Sequence, residues 1–409
     1  MTTTSTLSMP EDAAQRALYE ELARGEHSTG PNGTVIFVVF TDQLDLRRGD
    51  LYVALGLAKY LNRLGWGVRL LPGPQWYEPL EGPADVAIVM IESFVPGLLP
   101  PHVATVAWCR NWTSAWAALP YLDEFDAIWS SSAESAAVLS KAAGAAVEVV
   151  PIAADAELFH PAAGQRDIPV LSTANFWGEE RSLAGALGAV SRRHEVVWVG
   201  GGSTTEDTGD VVFPGNASYF AVPELYRRSS LVVDDVIPPA REFANHNSRL
   251  FESLSAGALP ITNEARGLEE LGLADVPVYT GPDDLVATVD GLLADPEGTA
   301  ALQRRLAEVV GARHTFAHRA GQVDGILRAL VASTSTRSSR SPLIGWIARE
   351  RVRLNAFHEQ LVAEQARTAE LEARAAAEPS TRAVVSAAAR RLVQLPARIV
   401  RRLARRTGN

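Results

Sequence analysis

Arg249 and Glu252 stand three residues apart in the stretch 241–271, REFANHNSRLFESLSAGALPITNEARGLEEL. On a helix that spacing puts both side chains on one face. A guanidinium there suits phosphate oxygens, and a carboxylate suits hydroxyl groups. The helix is predicted over 249–256, because Leu250, Phe251 and Leu254 recur at a helical period and Gly257 is the residue type that ends helices. Asn245, Asn247 and Ser248 precede it as capping residues. A helix start whose first amides stay available is an anion site. A short strand, 258–262, follows.

Such residues act only if other elements bring partners to them. TVIFVVF from Thr34 reads as a buried strand, 51–64 as a helix and GVRLLP (67–72) as a second strand, which together form a βαβ unit. Apolar strands continue at 85–91, 103–108, 126–132 and 147–151, with a helix at 133–143. After the polar, proline-bearing segment IAADAELFHPAAGQRD the alternation restarts at IPVLSTAN. It runs through a helix from Glu179, HEVVWVGGG, VVFPG, a helix at 222–228, LVVDDV, the stretch 241–271 and a last strand, VPVYT. Helices follow at 283–294, 298–310 and 316–332.

Short apolar strands alternating with helices require parallel sheets covered on both faces. The fold class is therefore α/β, with two Rossmann-like domains, 31–155 and 156–333, facing across a cleft. Residues 1–30 read as a flexible lead carrying one short helix, 11–23. Beyond STSTRSSRSP the composition turns to Ala, Arg and Glu, and Ile347, Leu354 and Leu361 fall seven apart. A long helix at 343–378 is expected, with a coiled coil, and hence a homo-oligomer, left open. Residues 381–409 form a basic amphipathic tail.

Ligands in doubly wound folds sit at the carboxyl ends of the strands, so the loops there supply the candidates. In the second half they are 175–181 with Arg181, the glycine turn Gly200 and Gly201, the pair Asp234 and Asp235, and the 241–271 stretch. In the first half, Gly49 and Asp50 sit in the first strand-to-helix loop, where Asp50 either caps the helix or acts as a base. Glu92 is the other carboxylate placed for that role, and Arg110, Asn111 and Trp112 end a strand at the same cleft. Trp108, Trp112 and Trp116, spaced by four, read as packing or as a wall for a sugar or lipid. Asp234 and Asp235 serve either function or scaffold. The histidines show no metal-ligand spacing, and no metal site is expected.

The segment NSRLFESLSAGALPIT followed by RGLEEL resembles the donor domain of group 1 (GT4-like) glycosyltransferases of the GT-B fold. Fainter resemblance runs through GDLYVALGLAKYLNRLGWGVRLL and AWCRNWTSAW. The resemblance implies a sugar transferred from a nucleotide diphosphate sugar to an acceptor hydroxyl, with no resident cofactor or metal. It implies that Glu252 accepts from the donor ribose, that Arg249 and the amides near Asn247 and Ser248 face the pyrophosphate, and that Arg181 contacts phosphate. It also implies a substrate or structural role for Arg110. One position departs: relatives carry a second glutamate separated by seven residues, and here Ala244 stands eight before Glu252, with Glu242 two further back. Arg249 paired with Glu252 is the structural alternative.

The 409-residue chain has a net charge of −10, yet residues 381–409 hold eight arginines and no acid, leaving −18 for the rest (−10 − 8). An acidic body argues against nucleic acid, and the basic end suits an anionic membrane surface. The single cysteine, Cys109, and the lack of a signal-like start or a long apolar run lead to an expected cytoplasmic place, peripheral on the inner face of the membrane. The expected acceptor is a glycan or lipid-linked saccharide in cell-surface polysaccharide or glycolipid synthesis. Alternatives are a nucleotide-sugar epimerase of the same fold and a non-catalytic sugar- or nucleotide-binding partner.

Overall fold

Strand β1, Thr34–Val39, is buried at every residue, as a parallel strand covered on both faces must be. In this computed structural model, which describes residues 10–175, 183–200, 206–335 and 337–377, β1 lies within a six-stranded sheet. Its parallel neighbours are β2 (Gly67–Pro72) and β3 (Val86–Val89), and β4 (Ala104–Cys109), β5 (Ala127–Ser130) and β6 (Val147–Val149) extend the order to β2-β1-β3-β4-β5-β6. Helices α1 (Ala13–Ala23), α2 (Gly49–Arg63), α3 (Thr113–Ala117) and α4 (Ala133–Ala143) belong to this half.

The second sheet runs β11-β10-β7-β8-β9, from β7 (Ile168–Ser172), β8 (Val196–Val199), β9 (Val212–Gly215), β10 (Ser229–Asp234) and β11 (Leu259–Thr262). Its helices are α5 (Leu183–Ser191), α6 (Val222–Arg228), α7 (Pro238–Arg241), α8 (Ser248–Ala256), α9 (Pro282–Ala294) and α10 (Pro296–Arg313). Strand order reverses between β1 and β3 in one sheet and between β7 and β10 in the other. The carboxyl ends of these strands are where a doubly wound sheet opens for a ligand.

Three expectations need correction. The stretch VPVYT is no strand: it meets β11 through one bridge, Thr262 to Val278, because Pro277 offers only its carbonyl, accepting from Thr262. Helix α11, Phe316–Thr334, packs on α2 rather than on the second sheet. A Cβ at Gly56 would lie 2.5 Å from the Phe316 ring, so α2 keeps a glycine where α11 crosses it. The segment placed at the end of the second domain thus returns to the first.

Nor is the lead loosely attached over its described residues. Tyr19 and Leu22 of α1 are buried, and the Asp12 amide donates to the Phe220 carbonyl of the second half (3.1 Å). Tyr19 also donates its hydroxyl to Asp155 (2.8 Å), joined by Tyr60 (2.8 Å) and by Lys59 Nζ (2.8 and 3.0 Å). Asp155 belongs to the chain crossing between the halves. A fully buried carboxylate is tolerable only with such a complement of partners, and here the complement fastens α1, α2 and the crossing together.

Of the described residues, those up to Gly345 form one compact unit and those from Trp346 a second. Helix α12, Pro342–Ala377, supplies the second unit and exposes Leu354, Phe357 and Leu361. No helix among the described residues is long and apolar enough to cross a membrane. The tail 381–409 lies outside the described residues.

Candidate nucleotide-sugar cleft

Helix α8 begins one residue earlier than expected, at Ser248, with Asn247 in the N-cap position. The Asn247 side chain makes no capping hydrogen bond. It donates instead to Asp234 Oδ1 and to the Asp235 carbonyl, both at 3.0 Å. Asn245, the other expected cap, turns away to the first half, where its Nδ2 donates to Thr113 and its Oδ1 accepts from Ser131. The first amides of α8 are left without a side-chain acceptor from either asparagine. With the helix dipole behind them, they form a positive concavity.

Glu252 sits one turn further on, 6% exposed, on the wall of a cleft of about 620 Å³. Its Oε1 accepts from the Tyr219 hydroxyl at 2.9 Å. Burial pushes its carboxyl up to about 7, against the pull of Tyr219, Arg249 and Ser248. Tyr219 stacks on Tyr52 of α2 with ring centroids 3.8 Å apart and planes at 14°. The carboxylate of one half is thus buttressed by an aromatic pair that spans both halves.

Arg249 also lines the cleft, but its guanidinium is committed. It pairs with Asp234, and it donates to Thr173 Oγ1 (3.1 Å) and to the Thr173 carbonyl (3.2 Å). The structural alternative of an Arg249–Glu252 pair is therefore corrected, since Asp234 is the nearer and fully buried partner. Asp234 and Asp235 serve as scaffold: Asp234 holds Arg249 and Asn247, and Asp235 accepts from Asn263 (2.8 Å).

Across the cleft stand Asp50, Glu92 and Arg110. Asp50 does not cap α2. That helix starts at Gly49, and the Asp50 carboxylate reaches back to the Phe40 amide at the end of β1 (3.0 Å). The Arg110 guanidinium, on a residue 8% exposed, makes one hydrogen bond among the described residues, to the Met90 carbonyl (3.3 Å), and its Nε has no partner there. Burial lowers its pKa, while Asp50 and Glu92 act in the opposite direction.

The tryptophans divide. Trp108 and Trp116 are core, whereas Trp112 is 37% exposed and lines the cleft. Gly200 lines it too, and a Cβ there would fall 2.0 Å from the Ala174 carbonyl oxygen. Gly201 and Arg181 lie outside the described residues. Trp112 and Arg47, both at the cleft, adopt left-handed backbone conformations (φ 54° and 53°), a strain that concentrates at binding sites. Among the described residues no cluster of His, Cys, Asp or Glu could hold a metal ion.

Two facing sheets with a nucleotide-sized cleft at their carboxyl ends invite comparison with known proteins. Residues 158–325 match the family model described as "Glycosyl transferase-like". No curated protein has a matching sequence. Among solved structures, Anabaena HepE in complex with UDP-glucose aligns over 73% of this chain and 100% of its own, at 13% identity and a TM-score of 0.57. A Rickettsia africae glycosyltransferase aligns over 73% and 99% (13% identity, TM-score 0.54). AviGT4, a glycosyltransferase involved in avilamycin A biosynthesis, aligns over 74% and 98% (16%, 0.51). The chain has the GT-B glycosyltransferase fold.

Within this GT-B cleft, the position eight before Glu252 holds no carboxylate. Ala244 is buried there in a left-handed conformation (φ 56°), and Glu242 is exposed and outside the cleft lining. Sequence reasoning missed Tyr219, Tyr52 and Thr173 altogether. Tyr219 follows a glycine-ended strand in a segment with no periodic pattern, so only the folding of that segment against α8 within the second half makes it a partner of Glu252. Tyr219→Phe is expected to leave folding intact and to raise the Glu252 pKa further, because the hydrogen bond favours the ionised form. The pH midpoint of nucleotide binding, followed by calorimetry between pH 5.5 and 8.5, then moves upward; an unmoved midpoint contradicts the Tyr219–Glu252 coupling.

Proposed function

We propose that this protein transfers a sugar from a nucleotide diphosphate sugar to an acceptor hydroxyl. The observation that carries the reading is Glu252: a buried carboxylate, open to the cleft, one turn into a helix whose first amides lack side-chain caps. Its ionised form accepts the two ribose hydroxyls of the donor. The amides at Ser248 and Arg249 receive the diphosphate, on which charge grows as the leaving bond breaks. Arg249 contributes mainly by fixing the helix start, its own charge being matched by Asp234.

The first half takes the acceptor. Its hydroxyl oxygen forms the new bond to the anomeric carbon, the bond from that carbon to the diphosphate oxygen breaks, and the nucleoside diphosphate departs with the electron pair. The hydroxyl proton passes to Asp50 or Glu92, the two carboxylates on that wall. The scheme calls for no resident cofactor or metal. We further infer a glycan or lipid-linked saccharide acceptor, used in cell-surface polysaccharide or glycolipid synthesis at the cytoplasmic face of the membrane. The arginine-rich tail and the exposed apolar residues of α12 support that placement, through anionic lipid and through a second copy of the chain respectively.

The test is a thermal-shift screen of UDP, ADP, GDP and their glucose conjugates, followed by product analysis with and without saccharide acceptors. A diphosphate that raises the melting temperature, with sugar transferred only when an acceptor is present, is the expected result. Epimer or free nucleotide formed without acceptor overturns the transfer. Binding without any turnover favours a non-catalytic sugar-nucleotide binding role, which Ala244 in place of a glutamate supports.

A further inference from the structure

Arg110 ends β4 at the cleft wall of the first half. A guanidinium more than nine-tenths buried is ordinarily held by a carboxylate, because a desolvated cation left unpaired is costly. Arg110 has none at ion-pair distance among the described residues. Its Nη2 donates to a neutral carbonyl, and its Nε donates to nothing. The two acids nearby do not close on it among the described residues: an Asp50 oxygen accepts from the Phe40 amide, and neither Asp50 nor Glu92 comes within ion-pair distance of the guanidinium. A buried donor without a partner calls for an explanation, and on the wall of an open cleft a ligand supplies one.

Arg47 and Arg110 line this wall of the cleft together with Asp50 and Glu92. The opposite wall has its own means of holding a diphosphate, the uncapped start of α8, and its Arg249 is already neutralised by Asp234. The guanidinium left without a carboxylate therefore stands on the acceptor side. Its planar fork suits an oxyanion with two oxygens on one edge.

We propose that the acceptor sugar carries an oxyanion, a carboxylate or a phosphate ester, and that Arg110 binds it and selects for it. This rests on the transferase reading above, which assigns the first half to the acceptor. Asp50 and Glu92 then flank the anchored sugar and remain available to take the hydroxyl proton, while neutral sugars leave Arg110 unsatisfied and bind poorly. A site built to pair with a polar group discriminates strongly against a ligand lacking it.

The experiment titrates the full-length protein with glucuronate, glucose 6-phosphate and glucose, each with and without saturating UDP, by saturation-transfer NMR and calorimetry. Wild type is expected to bind at least one of the two charged sugars ten-fold or more tighter than glucose. Arg110→Met loses that preference while its UDP affinity stays within about three-fold, and Arg110→Lys keeps part of it. Preference for glucuronate assigns a carboxylate, and preference for glucose 6-phosphate a phosphate ester.

Equal binding of all three sugars by wild type overturns the proposal. So does a ten-fold loss of UDP affinity in Arg110→Met with sugar preference unchanged, which places Arg110 on the donor diphosphate. If wild type fails to bind any nucleotide, the transferase reading fails separately; a charged-sugar preference that Arg110→Met abolishes without UDP still supports the site. Should Arg110→Met not fold, by circular dichroism, Arg110→Lys decides: a preference reduced at least three-fold supports the assignment, and an unchanged preference overturns it.

Discussion

Glu252→Gln is expected to weaken nucleoside diphosphate binding roughly 30- to 150-fold at pH 8, with a loss that shrinks as the pH falls. The first half follows from the hydrogen bonds that an ionised carboxylate makes to ribose hydroxyls, which contribute about 2–3 kcal/mol more than those of a neutral amide. The second follows from the Glu252 pKa of about 7 in the ligand-free protein. In the proposed transferase ribose binds the ionised form, so below that pH binding must first remove a proton. Wild-type affinity therefore rises with pH from 5.5 to about 7.5 and then levels, by up to about ten-fold per pH unit on the rising limb. The glutamine variant has no such limb. Calorimetry across this range decides, and a wild-type affinity flat with pH sinks the assignment.

The same shift makes Glu252 a liability for stability. Its folded pKa lies above the ordinary value of 4.5, so the folded state holds the proton longer than the unfolded chain does. Below pH 4.5 both states are protonated and nothing is lost. Stability declines as pH rises from there to about 7 and stays reduced above it. The gap between 4.5 and about 7, at about 1.4 kcal/mol per pH unit, amounts to about 3 kcal/mol. Glu252→Gln, which still accepts from Tyr219, should thus raise the melting temperature at pH 8 and leave it nearly unchanged at pH 4.5. Stability gained where ligand affinity is lost is the signature of a residue kept for binding.

Arg249→Met is expected to destabilise the protein by about 3–5 kcal/mol, because it strands Asp234 as a fully buried charge. Among the described residues no other cation pairs with Asp234; its remaining partner there is the Asn247 amide, and its Oδ2 has none. The double variant Arg249→Met, Asp234→Asn removes both charges and should recover much of the loss. Urea unfolding of the four proteins measures this directly. Simple additivity of the two single effects would mean that the pair is not coupled and would return Arg249 to direct phosphate binding.

The repeated unit of the chain was legible because a parallel strand buried on both faces leaves a continuous apolar run. TVIFVVF, VAIV and LVVD could hardly be anything else in water. The start of α8 was legible for a local reason as well, since Asn247, the Leu250/Phe251/Leu254 period and Gly257 bracket one helix within eleven residues. These are short-range constraints, satisfied or violated within a few residues of chain. They put Glu252 and Arg249 on one helix face without any knowledge of what lies opposite.

What lies opposite was decided by tertiary structure alone. Nothing local tells Arg249 to choose Asp234, fifteen residues away, over Glu252, three residues away. That choice depends on β7 and β10 lying side by side, which brings Thr173 and Asp234 to one point. Likewise Asn245 and Asn247 have the chemistry of caps, but long-range partners outbid the helix amides for both side chains. Tyr219 reaches Glu252 only because its segment folds against α8 within the second half, and Tyr52 backs Tyr219 only because the two halves share a wall. The sequence by itself determined two doubly wound sheets and one cleft-facing carboxylate, because apolar periodicity and helix spacing are properties of neighbouring residues. Which charges are paired, which are left open, and what the cleft can therefore bind are set by contacts between distant segments, and only the folded chain makes them.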